Sequence, residues 1–227
     1  MSDMGGDGRI WEWRLPLSPI TSLKCVGELF ERGRSKALQT LYRDLERGRV
    51  DLDLLPILSL LNSSPNYYTT SSCSGRIQVA STRIPGEKFK MIVIAKWHRP
   101  ISVQELEGLL RFAAYPDIWL SVQGPILHVA CKTMKDAVKL VNMARDSGFK
   151  HSGIQGVGRT RVMVEVLSAE RVEAPLRLNG VEALNSEILE EFVARINEVL
   201  LKGKSRLRRL ATALEPVVPR DPPSDSA

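Results

Sequence analysis

Cysteine is scarce in this chain of 227 residues, which contains only Cys25, Cys73 and Cys131. Their wide spacing includes no C-x-x-C pair, so a structural zinc site of the paired-cysteine type is not expected. Three cysteines are also too few for the disulfide framework that supports small secreted domains. We therefore expect a protein of a reducing compartment, without a metal site.

Long apolar runs are lacking as well. No stretch of about 18 apolar residues is present, and a transmembrane helix needs a stretch of that length. Residues 1–9 are glycine-rich and acidic, and they lack the basic and then apolar pattern of a secretory signal. No internal repeat of solenoid length is visible. These absences predict a soluble, cytoplasmic protein with no membrane partner.

The composition is that of a folded protein with an excess of basic residues. Apolar residues make up 43% of the chain and charged residues 26%, which is enough apolar material for one domain with an appendage. Lysine and arginine outnumber aspartate and glutamate by 32 to 26, and the formal net charge is +6. This charge favours polyanionic partners such as nucleic acids, although many basic proteins bind none.

Composition divides the chain into three segments. Residues 1–21 contain three glycines and two prolines without a sustained hydrophobic period, which indicates a flexible N-terminal arm. Residues 22–214 are predicted to form a single domain. Residues 215–227 are rich in proline, serine and aspartate, as in a disordered tail.

Two helices are predicted at the start of this domain. Apolar residues recur at helical spacing over residues 23–45, with a break near Gly33. A shorter helix is predicted over residues 54–61, with Asp51 or Asp53 as its cap.

Three later helices are marked by their caps or their apolar stripe. Ser102 and Glu105 have the spacing of a capping box, and Thr133 opens the next helix. Residues 187–214 carry an apolar stripe and a late basic cluster, which predicts one long C-terminal helix. Gly203 is a potential interruption of it.

Short runs rich in β-branched residues predict strands around these helices. The runs cover residues 76–80, 90–96, 118–122, 126–131, 154–157 and 162–167. From Lys90 onward the order of elements is β-α-β followed by β-α-β, as in a ferredoxin-like half-open sandwich. The expected fold class is therefore α+β with a mixed or antiparallel sheet.

A Rossmann-type methyltransferase or dehydrogenase fold is not predicted. That fold places a glycine-rich loop between its first strand and the following helix. The glycine-rich run at residues 153–158 lies between two predicted strands instead. A hairpin that needs positive φ angles explains this run better.

The most unusual segment is Tyr67–Ile77, in which six consecutive hydroxyl or thiol residues separate two tyrosines from a Gly-Arg pair. A core strand rarely carries so many polar side chains in a row. Small polar residues and Gly75 allow backbone N–H groups to approach a polar ligand, and Arg76 offers a bidentate guanidinium. An edge strand that ends in a turn would give the same composition.

This segment resembles, almost letter for letter, the signature of the tRNA wybutosine-synthesising protein 3 family in its archaeal form. Members of this family methylate a ring nitrogen of the tricyclic guanosine beside the anticodon of phenylalanine tRNA. Further family-like segments follow in order at residues 97–98, 125–131, 146–154 and 173–176. The resemblance covers roughly residues 23–210, and Ala174 replaces an expected valine.

The resemblance implies a single catalytic domain, S-adenosylmethionine as the methyl donor and tRNA as the partner. Within that frame we assign catalysis to Ser72, Cys73 and His98. The residues expected to bind the donor are Ser71, Ser74, Gly75, Arg76, Trp97 and His128. The residues expected to bind the base or the tRNA are Tyr67, Tyr68, Arg159, Arg161, Arg206 and Arg209.

Several individual roles stay open at this point. For Cys73 a pocket-wall role is favoured over a nucleophile, and a metal ligand comes last, because methyl transfer to nitrogen needs no thiolate. His98 and His128 are as well explained by structural hydrogen bonds as by proton transfer or ligand contact. We expect one of Tyr67 and Tyr68 to stack on a base and the other to lie in the core.

Trp97 and the basic residues are also ambiguous. The polar neighbours of Trp97 favour the site over the core. The basic run from Lys202 to Arg209 fits phosphate contacts and a solvated helix face equally well.

Two other functions are compatible with part of this pattern. A non-catalytic subunit that presents tRNA to a partner enzyme would explain the charge and the aromatic residues. A cysteine-dependent hydrolase built on Cys73 would explain the polar segment, but it would need an activated thiolate.

Overall fold

The computed structural model describes residues 23–87 and 90–216. The predicted N-terminal arm and most of the predicted C-terminal tail lie outside these residues. Among the described helices, none is both long and apolar enough to cross a membrane. The division into arm, domain and tail and the cytoplasmic location stay predictions.

Five α-helices and nine strands make up the described chain. The helices are α1 (Leu23–Glu46), α2 (Leu55–Ser63), α3 (Val103–Phe112), α4 (Met134–Asp146) and α5 (Ser186–Leu214). The strands are β1 (Tyr67–Cys73), β2 (Arg76–Ser81), β3 (Ile92–Trp97), β4 (Ile118–Gln123), β5 (Ile126–Cys131), β6 (Gly153–Val157), β7 (Val162–Leu167), β8 (Arg171–Leu178) and β9 (Val181–Glu182). A short 3₁₀ turn, Leu52–Leu54, precedes α2.

The strands form two sheets in which every ladder is antiparallel. A four-stranded sheet has the order β1-β5-β7-β6, and a five-stranded sheet has the order β3-β2-β4-β8-β9. The predicted α+β class with antiparallel pairing, N-terminal helices and a long C-terminal helix is confirmed. Both predicted β-α-β units are present, in different sheets. In each unit the two strands are not neighbours in their sheet, because β2 lies between β3 and β4, and β7 lies between β5 and β6.

Short connections carry the chain from one sheet to the other. Two residues link β1 to β2, and two link β4 to β5. A Cβ atom on Gly124 would lie 2.6 Å from the Ser168 hydroxyl oxygen, and Gly75 adopts a φ of +95°. Each connection therefore depends on a glycine, one for space and one for its backbone conformation. The ends of β1 and β2 are held side by side as a result.

Each sheet covers its own apolar core, and α5 contributes to both. Leu189 and Leu200 belong to the core of the five-stranded sheet, whereas Leu207 and Leu214 belong to the core of the four-stranded sheet. The helix is continuous through Gly203, contrary to the predicted interruption. A Cβ atom at this glycine would lie 2.8 Å from the Cδ of Pro125, so the glycine allows close packing at the point where the two sheets meet.

The predicted break of α1 at Gly33 is also wrong, because α1 runs without interruption from Leu23 to Glu46. A Cβ atom on Gly33 would lie 2.8 Å from the Tyr68 hydroxyl oxygen. This glycine therefore lets α1 lie close against β1, and the two elements form the walls of the cavity described next.

Candidate functional site

A cavity of about 640 Å³ lies between α1, the segment before α2, and the adjoining ends of β1, β2 and β3. One face of α1 forms a wall, with lining residues from Gly33 to Asp44 at helical spacing. The opposite wall is the polar signature, residues 68–73. The remaining lining residues are Arg49, Val50, Asp51, Leu54, Leu58, Arg76, Lys96, His98 and Arg161.

The buried side chain of Asn62 fixes the start of the signature strand. Its Oδ1 accepts a hydrogen bond from the backbone N–H of Thr69 at 2.9 Å, and its Nδ2 donates to the Thr69 hydroxyl at 2.8 Å. The pairing of β1 with β5 then shifts register between Thr69 and Ser71. Such a bulge changes the direction of the side chains that follow. It allows Ser71, Ser72 and Cys73 all to line the cavity.

The turn at Ser74 and Gly75, between β1 and β2, is fixed by hydrogen bonds to a buried lysine. Ser74 is fully buried, and its hydroxyl accepts a hydrogen bond from Nζ of Lys204 at 3.0 Å. Lys204 also forms an ion pair with Asp53. Ser74 and Gly75 are absent from the lining of the described cavity, although both were expected to bind the donor. They shape the turn that holds their neighbours.

Asp51 and His98 form a polar pair at one end of the cavity. The Oδ2 of Asp51 lies 2.9 Å from Nδ1 of His98, and it also accepts the backbone N–H of Ser74 at 3.0 Å. From the sequence Asp51 is expected only as a helix cap, but it makes no side-chain cap bond. Its partner His98 is 47 residues away, so no local pattern indicates the pair.

Cys73 lies beside this pair, with its Sγ 3.8 Å from Nδ1 of His98. Burial raises the pKa of the Cys73 thiol above its usual value, and only partial compensation comes from the backbone of Gly75 and the charge of Arg76. A neutral thiol is a poor nucleophile. This environment favours the pocket-wall role over the cysteine-hydrolase mechanism.

The ligand atoms of Asp51, Cys73 and His98 lie within 4.8 Å of one another, a spacing at which they could hold a metal ion. A cysteine must lose its proton to bind a metal, and burial opposes that loss here. The hydrogen bond to Asp51 already satisfies Nδ1, the imidazole nitrogen of this cluster. We therefore interpret the cluster as an acid–imidazole pair with a neighbouring thiol.

The charged residues that line the cavity are predominantly cationic. Lys36, Arg49, Arg76, Lys96 and Arg161 face two carboxylates, Asp44 and Asp51. Nη1 of Arg161 donates to the hydroxyl of Tyr68 at 2.9 Å. The predicted residues Arg76, Tyr68 and Arg161 are thus brought together, whereas the contributions of Lys36, Arg49 and Lys96 were missed.

His128 acts on the cavity through Ser71. Its Nδ1 lies 3.0 Å from the Ser71 hydroxyl, and its Nε2 lies 3.1 Å from Oε1 of Glu165. The three residues are cross-strand neighbours on β1, β5 and β7. His128 is not part of the cavity lining, so it orients Ser71 from the neighbouring strand.

Several expected site residues are placed elsewhere. Trp97 packs against the core of the five-stranded sheet, because alternation along β3 turns Lys96 and its partners to the opposite face. Tyr67 lies in the other core and donates to the backbone oxygen of Asp136, and burial raises its pKa. Tyr68 is equally buried but reaches the cavity.

The four predicted tRNA-binding arginines are in different environments. Arg161 lines the cavity, and Arg159 and Arg209 are exposed. Arg206 has a side chain that is only 13% exposed, forms an ion pair with Glu170, and donates to the backbone oxygen of Gly148. Its partners are internal and little of it is exposed, which favours a role in stabilising the fold over a contact with RNA.

The chain is similar to a known protein family and to named members of it. The family model described as Methyltransferase TYW3 matches residues 32–216. A Pyrococcus horikoshii protein named tRNA(Phe) 7-((3-amino-3-carboxypropyl)-4-demethylwyosine(37)-N(4))-methyltransferase 1 is 40% identical over 187 residues, which cover 82% of this chain and 95% of that protein. A Thermococcus sibiricus protein of the corresponding name is 39% identical, covering 82% of this chain and 94% of its own.

Two solved structures share the fold. A Pyrococcus horikoshii structure superposes with a TM-score of 0.80 at 39% identity, covering 84% of this chain and 98% of that chain. A protein of Aeropyrum pernix, titled hypothetical, has a TM-score of 0.67 at 29% identity, covering 73% of this chain and 98% of its own.

Proposed function

The chain belongs to the methyltransferase TYW3 family, and on that premise we propose that it transfers a methyl group from S-adenosylmethionine to a ring nitrogen of a wyosine-type guanosine in tRNA(Phe). The named relatives act on position N(4) of a demethylwyosine at tRNA position 37. The observation that carries the proposal is the Asp51–His98 pair at the end of a polar cavity formed by the family signature.

The cavity lined by the signature, called the first cavity below, matches a tricyclic base in size and chemistry. Its volume of about 640 Å³ is within the range of small-molecule sites. Hydroxyls of Thr70, Ser71 and Ser72 offer both donors and acceptors to the polar edge of such a base. The aliphatic lining from Leu41, Leu54 and Leu58 offers an apolar surface for its faces.

Buried polar atoms without hydrogen-bond partners indicate whether the cavity can hold the methyl donor. Among the described residues, Nε of Arg76 and Oγ of Ser72 are buried without a hydrogen-bond partner. The guanidinium of Arg76 can bind the carboxylate at the amino-acid end of S-adenosylmethionine in a bidentate manner. When bound, S-adenosylmethionine supplies an electrophilic methyl group. The residues present therefore fit this cofactor.

Methylation of a ring nitrogen that carries a proton requires a proton acceptor. With Nδ1–H of His98 donating to the carboxylate of Asp51, Nε2 is left as the basic nitrogen. His98 would take the proton of the ring nitrogen on Nε2, and Asp51 would stabilise the resulting imidazolium. Bound S-adenosylmethionine would supply the methyl group, whose bond to sulfur would break as its bond to nitrogen formed, leaving S-adenosylhomocysteine as a neutral thioether. Cys73 and the hydroxyls beside it shape the pocket and limit access of water.

The cationic lining provides the link to tRNA. A base inserted in the cavity brings its own phosphate and those of its neighbours to the rim, where Lys36, Arg49 and Arg161 lie. A non-catalytic subunit that presents tRNA would use the same cations, but it would not need the Asp51–His98 pair.

The test is methyl incorporation from labelled S-adenosylmethionine into tRNA that carries the demethylated precursor. We expect His98→Asn and Asp51→Asn to lower kcat by about a hundredfold to ten-thousandfold, the usual contribution of a general base. Binding of S-adenosylhomocysteine, measured by calorimetry, should stay within about threefold of wild type, since neither residue is assigned to the donor.

His151→Asn is the matched control, because this third histidine is exposed and lies outside the cavity lining. Activity that survives in both His98→Asn and Asp51→Asn would reject the acid–imidazole pair as proton acceptor. A wild-type protein that binds no S-adenosylhomocysteine and methylates no precursor tRNA would reject the proposed function itself.

A further inference from the structure

A second cavity, of about 330 Å³, lies next to the first on the outer face of the five-stranded sheet. Arg76 borders both cavities. The floor of the second cavity is formed by β2, β4 and β8, and Pro85, Gly86 and Met91 close one side. Apart from Arg76, no residue of the family signature lines this cavity, and neither Asp51 nor His98 does.

The strand register shows that the two cavities share one face of the sheet. Lys96, which lines the first cavity, pairs with Gln78, which lines the second. Gln78 pairs in turn with Ser121, and Ser121 pairs with Glu173. Cross-strand partners point to the same side of a sheet, so this polar row runs from one cavity into the other.

The walls of the second cavity combine features that suit a nucleoside. The indole of Trp119 gives an aromatic surface, while the amide of Gln78 and the hydroxyl of Ser121 can hydrogen-bond to a heteroaromatic ring. Nε1 of Trp119 is buried and has no hydrogen-bond partner among the described residues. The carboxylate of Glu173 can accept hydrogen bonds from the hydroxyls of a ribose, as acidic residues do in dinucleotide sites.

The charge distribution favours an uncharged nucleoside over a nucleotide of the tRNA. The second cavity contains Arg76 and Arg171, and Arg171 is already paired with Glu173 at 2.5 Å. A phosphate placed there would meet the Glu173 carboxylate. The first cavity has the larger excess of cations, so the polyanion is better accommodated on that side.

We propose that the second cavity binds the adenosine part of the methyl donor, with Arg76 at the junction between the donor and the base. The proposal rests on the proposed function, because it assumes that this protein uses S-adenosylmethionine. It assigns separate cavities to the two ligands of a reaction in which both must be present together.

The experiment measures binding of two probes by calorimetry, S-adenosylhomocysteine and 5′-methylthioadenosine. The second probe has the adenosine and the thioether but no amino acid, so it reports on the adenosine site alone. Two variants alter the second cavity: Ser121→Leu fills it, and Glu173→Gln replaces the charged ribose acceptor by a neutral amide of the same size. Ser205→Leu is the control for Ser121→Leu, since Ser205 lines neither cavity.

We expect Ser121→Leu and Glu173→Gln each to weaken both probes by about tenfold or more. The leucine blocks the cavity, and the neutral amide makes weaker hydrogen bonds to the ribose than the carboxylate does. Affinity for tRNA, measured by filter binding, should not change. If Ser121→Leu does not fold, Glu173→Gln decides the outcome, because it preserves the volume of the side chain.

Unchanged affinity of both probes in the folded variants would overturn the proposal. A loss of tRNA affinity with unchanged probe affinity would also overturn it, since the cavity would then contact RNA. In either case the proposed function would survive, provided that wild type binds S-adenosylhomocysteine and His98→Asn abolishes methylation.

Discussion

Burial determines the chemistry of Cys73, since the raised pKa of its thiol keeps it protonated at neutral pH. We expect iodoacetamide to react with Cys73 more slowly than with a free thiol at pH 7 to 8. The rate should rise only as the pH passes the raised pKa, because the thiolate is the reactive form. Peptide mapping by mass spectrometry separates Cys73 from Cys131, whose pKa burial raises to about 12. An alkylation midpoint below pH 8 for Cys73 would revive the nucleophile interpretation.

Arg76 has a different role, because it borders both cavities. We expect Arg76→Ala to weaken S-adenosylhomocysteine binding by about tenfold to a hundredfold, the equivalent of roughly 1.5 to 3 kcal/mol for a hydrogen bond to a charged group. Binding of 5′-methylthioadenosine, which lacks a carboxylate, should fall much less. Arg159→Ala is the control, since Arg159 is exposed. If the variant lost affinity equally for the two probes, Arg76 would contact the adenosine part or support the fold, and it would not bind the carboxylate.

From sequence, residues can be grouped with one another where they are neighbours in the chain. The signature segment identified Ser71, Ser72 and Cys73, which do line one cavity. Asp51 could not be assigned in this way, because its partners His98 and Ser74 are distant in the chain and only the fold brings them together. Trp97 was misplaced because its polar neighbours outweighed the alternation of its strand.

At the scale of elements, the capping signals of α3 and α4 are confirmed, because both partners of each cap lie within one turn, whereas the cap expected from Asp51 or Asp53 at α2 is not formed. The predicted capping box of Ser102 and Glu105 is present, and Thr133 caps α4 as expected. Helix glycines were misread as breaks, because sequence shows the low helix propensity of glycine but not the surface packed against it. The division into two sheets was equally hidden, since two-residue connections are also compatible with ordinary hairpins.

Gly203 offers a test of that packing. We expect Gly203→Ala to destabilise the protein by about 1 to 3 kcal/mol, because its methyl group would lie 2.8 Å from Pro125 at the crossing of α5 with the sheets. Gly108→Ala in α3 is the matched control, since nothing lies within 4 Å of the added Cβ. There the higher helix propensity of alanine should stabilise by roughly 0.5 to 1 kcal/mol. Chemical denaturation measures both, and equal effects would contradict the close packing.

At the scale of the whole molecule, the arginines divide between two roles that sequence could not separate. Arg206 is internal and paired with Glu170, so Arg206→Ala should lower the free energy of unfolding by about 3 to 5 kcal/mol, as expected when one partner of a buried ion pair is removed. The loss would appear as a lower denaturation midpoint. Among molecules that remain folded, the salt dependence of tRNA binding should be unchanged, because this guanidinium does not reach the surface. A reduced salt slope with normal stability would restore Arg206 as an RNA contact.

The cationic rim of the first cavity should account for much of the affinity for tRNA. Each cation that neutralises a phosphate releases counterions, so the logarithm of the association constant falls by roughly one unit per contact for each tenfold rise in salt. We expect the double substitution Lys36→Ala with Arg49→Ala to reduce this slope by about two units and to raise KM for tRNA. Affinity for S-adenosylhomocysteine should be unaffected, because both residues lie on the α1 side of the first cavity and border only that cavity. The same measurement on an Arg159→Ala, Arg209→Ala double variant compares the two exposed arginines predicted from sequence. An intact slope in the Lys36 and Arg49 variant, with a reduced slope in the other, would move the tRNA path away from the cavity rim.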